Sequence, residues 1–434
     1  MLAQAGPFRD HAAIQYSTRV PQDAVARLSQ RIDQGELQLA DEGPQGYLRS
    51  VLAALDITPS SQTLVFSENS LQRDHIRQAT PRALYFNDSV AVGWAKGADT
   101  IEMAAHDPTQ GVVFYSIPQK PQPKPRFVRR SDCLLCHVTQ QTGGVPGWSM
   151  MSVLPLSDDK NEYAQGWGMD HRTPIEDRWG GWYVTGSQVP TRHLGNVPVY
   201  HVPRSYVRAE VAPTLKSGAE AFDTTAYLTP HSDAVALLVL NHQWHLINLL
   251  TRLGWEARIA ARDAVPGNSA AMSNRVPELA RELVDYMLLV DEAPLPSPVR
   301  GSSTFAQDFV AKGPRDSKGR SLRDLDLTRR LLRFPCSYMI YTDAFDALPP
   351  TARNMVYERM WEILSGKDTD KVYQRLSVAD RRAIVEILRE TKKGLPAYFF
   401  LTWGSAPHPG SVACGGPYAP RRALAGAPCA PRTG

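Results

Sequence analysis

Apolar residues recur at three-to-four spacing in two stretches of residues 21–55. Val25, Leu28 and Ile32 form the first set; Leu48, Leu52 and Leu55 form the second. That period predicts helices with one buried face. From 62 to 117 the period changes. Val90, Val92 and Trp94 alternate with smaller residues, as do Ile101, Met103 and Ala105, and Val112, Val113, Phe114 and Tyr115 form a compact run. Asn87-Asp88, Lys96-Gly97 and Asp107-Pro108 punctuate them, so a short antiparallel β unit is expected. Pro118, Pro121, Pro123 and Pro125 predict a stiff extended linker. Residues 138–200 are rich in Gly, Pro and Trp; one strand is expected at Trp179 to Thr185, within irregular chain packed by aromatics. From about 232 to 400 the period is helical again. Helices are expected over Ala234 to Ala261, Val276 to Val290, Asp324 to Leu332 and Thr351 to Leu364, the last with Val356, Met360 and Ile363 on one face. Ser377 is placed to cap a further helix, with Asp380 in its first turn and Ala383, Ile384, Ile387 and Leu388 on one side. The Pro-, Gly- and Ala-rich stretch after Ser405 predicts a disordered tail.

These patterns divide the chain into an N-terminal helical segment (1–60), a small β unit (61–120), a Gly/Trp-rich region (121–230), a helical region (231–404) and the tail (405–434). The fold class expected is α+β: a small antiparallel β unit before the Gly/Trp-rich segment and a mostly helical C-terminal half packed over it.

Composition narrows the class. At 434 residues, 43% apolar and 21% charged, the chain can bury a sizeable core. A net charge of +4 with spread-out basic residues gives no footprint for nucleic acid. The one notable basic cluster is Lys124, Arg126, Arg129 and Arg130. No uncharged apolar run reaches the length of a membrane span; the best stretch, Ala234 to Leu250, is broken by Asn241, His242, Gln243, His245 and Asn248. Five cysteines, Cys133, Cys136, Cys336, Cys414 and Cys429, make one tight pair and three scattered residues, which is a site and not a disulfide framework. Cys336 reads as a buried thiol, and Cys414 with Cys429 as a pair in the tail.

The tight pair lies in Cys133-Leu134-Leu135-Cys136-His137. Two cysteines three positions apart on a tight helical turn present both thiols on one side. Both can add to the vinyl groups of one haem, and the following histidine can bind the iron, so the pentapeptide is a c-type haem attachment signal. A redox dithiol and half of a zinc site use the same cysteine spacing. Against zinc, no second CxxC exists in the chain; against the dithiol, the flanks lack a βαβ pattern.

On these residues the chain resembles c-type cytochromes. Two weaker likenesses accompany the motif: the loop Gly143-Gly144-Val145-Pro146-Gly147 and the capped helix from Leu376 to Leu388. The whole chain is similar to large single-haem exported bacterial proteins with a cytochrome c domain, on Tyr85-Phe86-Asn87-Asp88 and Arg178-Trp179-Gly180-Gly181-Trp182-Tyr183 as well. The resemblance implies covalent haem c and export. It does not imply an activity. It departs from small cytochromes in that 132 residues precede the motif.

Export asks for a leader. Ala3-Gln4-Ala5 before Gly6 has the small-x-small form of a cleavage site, so the expectation is a periplasmic or otherwise exported protein whose signal peptide is truncated here. The sixth iron ligand is open among His171, Met169 and His193; Met150 and Met151 are candidates too but lie close after His137 for the far face of the ring, and an empty sixth position remains an alternative. Arg178 is a candidate partner for a haem propionate, and Trp179, Trp182 and Tyr183 for the wall of the site, unless the run is an ordinary aromatic strand. His242 and His245 share a helix face, as core residues or as a metal pair. No phosphate loop, dinucleotide fingerprint or nucleophile elbow is present. The functional expectation is one-electron transfer, as a carrier or subunit with a redox partner protein. A haem enzyme of peroxidase or oxidase type and a haem-based sensor are the alternatives.

Overall fold

The computed structural model describes residues 8–153, 166–197, 212–264 and 275–401. The expected cleavage site at Ala3-Gln4-Ala5, the tail after Ser405 and the Cys414–Cys429 pairing lie outside those residues. Residues 1–400 make one unit, so the regions read before the tail fold together as one.

The first helical stretch is two helices. α1 (Ala24–Asp33) is capped by Asp23, whose Oδ1 accepts from the Val25 and Ala26 amides. Gly35 follows at φ +75°, ending the helix. α2 (Leu48–Ala54) buries Leu48, Val51 and Leu52. Then comes the β unit: β1 (Thr63–Val65), β2 (Arg82–Phe86), β3 (Val90–Trp94), β4 (Thr100–Asp107), β5 (Gly111–Pro118) and β6 (Val128–Arg129). They form a single antiparallel sheet in sequence order. The proline segment therefore folds back. It links β5 to β6 across one edge of the sheet and sets the cysteine turn, α3 (Leu134–His137), directly after that edge.

The two faces of the sheet differ. The pairs Leu84–Gly93, Gly93–Glu102 and Glu102–Ser116 share one face, as do Ala91–Ala104 and Ala104–Phe114. At its centre this face carries small residues. The other face carries Tyr85, Trp94, Met103 and Tyr115, all buried; Tyr115 donates to Asp23 at the head of α1.

Two expectations fail here. Trp179 to Thr185 is not a strand. Trp179 (φ +72°) and Gly181 (φ +82°) take left-handed backbone, and the Trp182 amide closes a turn onto the Trp179 carbonyl. Only isolated bridges from Trp182 and Thr185 remain. The short strands nearby are β7 (Met151–Val153) with β8 (Gly166–Gly168), and β9 (Gly186–Gln188) with a later β10 (Arg300–Gly301).

Asp324 to Leu332 is not a helix either. Asp326 Oδ1 accepts from the Thr328 and Arg329 amides, Leu327 sits at φ +57°, and Leu325 bridges Leu332. Local side-chain capping by Asp holds a tight reversal where periodicity alone suggests a helix.

The other helices read from the pattern are present, and two short ones join them. α4 (Ala234–Asp263) runs through the centre, with α5 (Arg275–Met287), α6 (Phe305–Ala311), α7 (Asp343–Asp346) and α8 (Pro350–Leu364) against it. α9 (Val378–Thr391) packs on α8 and is capped by Ser377, as its sequence indicates. The fold is α+β. Among the described residues no helix is long and apolar enough to cross a membrane.

Candidate functional site

The small-residue face of the sheet is the floor of a cleft that opens to solvent. Ala91, Gly93, Ala104 and Phe114 line it from below. Cys133, Cys136 and His137 border it together, so α3 presents both thiols and the imidazole to one space. Trp148, Trp182 and Trp244 wall it; Trp148 and Trp244 stack with centroids 5.9 Å apart and planes 17° from parallel. Trp244 comes from α4, so the helical half closes the space that the β unit opens. Asn248, one turn further along α4, accepts from the Trp148 amide and donates to its carbonyl. That pins the chain after the motif.

His137 is the best-defined part. Its Nδ1 lies 2.9 Å from the Gly147 carbonyl oxygen, so Nδ1 carries the proton and donates. Nε2 has no hydrogen-bond partner among the described residues. Phe114 packs on the ring at 4.7 Å between centroids. Burial holds the imidazole below its ordinary pKa, and it stays neutral. A neutral ring with one nitrogen tied to a backbone carbonyl is the arrangement of a metal-ligating histidine.

The cysteines differ. Burial, with Glu102 and Asp132 nearby, pushes the Cys133 thiol up to about 11. Cys136 is exposed at the cleft mouth. Burial thus disfavours a thiolate at Cys133, the form a redox dithiol would use there. Zinc needs further ligands, and among the described residues no group of three or more His, Cys, Asp or Glu is placed to hold a metal.

The sequence candidates for a sixth ligand divide clearly. His171 does not border the cleft. It is buried behind α4, with Nδ1 2.7 Å from His242 Nδ1 and its ring stacked on Tyr286 at 3.9 Å. Met169 does not border it either; its sulfur accepts from the Trp179 amide. His193 lies edge-on to Trp179, buried. Met150 is turned away, its sulfur accepting from Asn241. Met151, next along β7, does line the cleft. Met103 touches it as well, but its strand neighbours Glu102 and Ala104 occupy the cleft face, so its side chain belongs to the other.

The supporting residues named from the sequence also move. Arg178 is buried away from the cleft, donating to the Thr173 and His171 carbonyls. Trp179 donates to Asn241, and Tyr183 packs between Phe66 and Phe222. Only Trp182 of that run walls the cleft. His242 and His245 form no metal pair: His242 Nε2 meets Ser337 Oγ at 2.7 Å, and Arg172 donates to His245.

Sequence reasoning missed Arg82, Gly93, Glu102, Trp148 and Trp244, all bordering the cleft. The alternation of Ala91 and Gly93 with Val90, Val92 and Trp94 was a usable signal, since it marks one face as small. The chain matches no family model, no curated protein and no solved structure.

Proposed function

We propose that the cleft holds haem c through thioethers from Cys133 and Cys136 with His137 as an axial ligand, and that the protein transfers single electrons as a carrier or electron-transfer subunit. The observation that carries this reading is the shared exposure of the two sulfurs and the His137 ring to one cleft, with Nδ1 already engaged by Gly147. Haem bound there supplies a one-electron Fe(III)/Fe(II) couple.

The chain's own residues account for the rest. The Gly147 carbonyl fixes the imidazole tautomer, and Phe114 fixes its ring plane. The small floor leaves room for a flat group, and the three indoles keep water from its faces. Met151 is the candidate for the second axial position. Attachment of this kind takes place outside the cytoplasmic membrane, so the protein is proposed to be exported. At the mouth, Leu135 is 79% exposed beside Cys136. With Leu71, which is exposed and borders the cleft, it offers an apolar contact for a redox partner protein.

The test is direct. The isolated protein should keep its haem in acidified organic solvent, and Cys133→Ser with Cys136→Ser should lose it. Haem that extracts from the wild type overturns the reading. The optical spectrum of the reduced protein then separates the functional classes. A low-spin spectrum unmoved by carbon monoxide supports electron transfer, and Met151→Ala should convert it to one that binds carbon monoxide. Fast carbon monoxide binding by the wild type would favour an enzyme or a sensor.

A further inference from the structure

Arg82 is the only Lys or Arg among the described residues that border the cleft. It stands on β2, yet its guanidinium reaches across β3 to Glu102 on β4, with Nη2 2.5 Å from the carboxylate. The crossing point is Gly93. A β-carbon there would overlap Nη2, Nε and Cζ of Arg82 together, so the guanidinium is laid over bare backbone. Glu102 occupies one edge of the fork. Nε is shielded from solvent and has no hydrogen-bond partner. That leaves an N–H on the cleft side that can donate to an acceptor bound there. The other acid on the cleft, Asp132, is already taken by Arg130. Ser67 adds a hydroxyl on the Arg82 side: it lies two residues beyond Val65, which pairs with Arg82 in the β1–β2 register.

We infer that Arg82 is the carboxylate-binding residue of the cleft, and that it takes a propionate side chain of the group held by Cys133, Cys136 and His137. This rests on the haem reading above. A forked guanidinium is the side chain best matched to a carboxylate. Arg178, the sequence candidate for this role, already donates to two carbonyls elsewhere.

The experiment measures haem content by the alkaline pyridine spectrum and midpoint potential by redox titration, on wild type, Arg82→Gln, Arg82→Lys, Glu102→Gln and Gly93→Ala. Arg82→Gln removes a positive charge that disfavours the ferric state, so its potential should fall. Arg82→Lys keeps the charge but loses the fork and should fall between Arg82→Gln and wild type. Gly93→Ala, which evicts the guanidinium, should follow Arg82→Gln in direction, and Glu102→Gln should move the opposite way. If Arg82 merely braced the sheet, Arg82→Gln and Glu102→Gln would break the same ion pair and shift together, which overturns the assignment. So does an Arg82→Lys potential equal to wild type, since a bare field effect needs no fork. Should Arg82→Gln fail to accumulate, Arg82→Lys, Glu102→Gln and Gly93→Ala decide by the same signs. Absence of covalent haem from the wild type fails the reading of the cleft itself, and the assignment falls with it; a loaded protein with unmoved potentials fails the assignment alone.

Discussion

His171 was an attractive ligand candidate because imidazole near a haem motif invites coordination, yet its position is fixed by what it does behind α4. Its Nδ1 shares a proton with His242, whose Nε2 meets Ser337. Burial holds both rings far on the neutral side, His242 at about 3 and His171 well below its ordinary value. Such a chain is structural, and removing one link strands the next. Ser337→Ala is expected to cost about 1–3 kcal/mol by thermal or denaturant unfolding. It should leave the optical spectrum of the loaded protein unchanged. His171→Ala should likewise destabilise without a spectral change; a shift to high spin in that variant would restore His171 to the axial role. The pentapeptide was legible in the sequence because its chemistry is local, five consecutive residues. The proposed partners of the bound group, Met151 on β7 and Arg82 on β2, are brought to the motif only by tertiary structure.

Elements were legible where a single period ran long enough. α4, α8 and α9 and the strands β3 to β5 follow their patterns closely. Asp324 to Leu332 and Trp179 to Thr185 did not, because side-chain capping and left-handed residues override a short apolar run. The same capping chemistry sets the worth of two helix starts. Asp233 holds the head of α4 with Oδ1 on the Val235 and Ala236 amides. Its Oδ2 accepts from the Ser302 and Ser303 amides and the Ser303 hydroxyl, each at 2.8 Å. Gly301 beside it has no room for a β-carbon. Asp233→Ala removes the cap and strands buried donors, so a loss of about 3 kcal/mol is expected. Ser377→Ala, at the exposed head of α9, should cost about 1 kcal/mol. Urea unfolding of the two variants side by side checks the ratio; equal losses would mean that the second carboxylate oxygen contributes nothing.

The α+β class was legible because the β and helical periods occupy separate stretches of chain. How the proline segment folds back to pair β6 with β5 was not, since a stiff linker reads the same in either direction. The assembled core has a definite response to pH. His193 and His245 are each pushed by burial to about 4, and His242 to about 3, so the folded chain resists protonation that the unfolded chain accepts below about 6.5. Stability is therefore full above that pH and falls as acid is added. Glu292 acts oppositely. Burial raises it to about 7 from 4.5, so the folded chain holds an extra proton between those values and loses stability as pH rises through them. Glu292→Gln should flatten that side, gaining up to about 3 kcal/mol on wild type at pH 8 relative to pH 4; parallel stability curves for the two proteins would refute it. The indole wall has a different consequence. Three of the nine tryptophans face the site, and haem absorbs where indole emits. A loaded molecule should therefore be dim under ultraviolet excitation and an unloaded one bright. The chain carries its own optical gauge of occupancy, readable during expression without breaking a thioether.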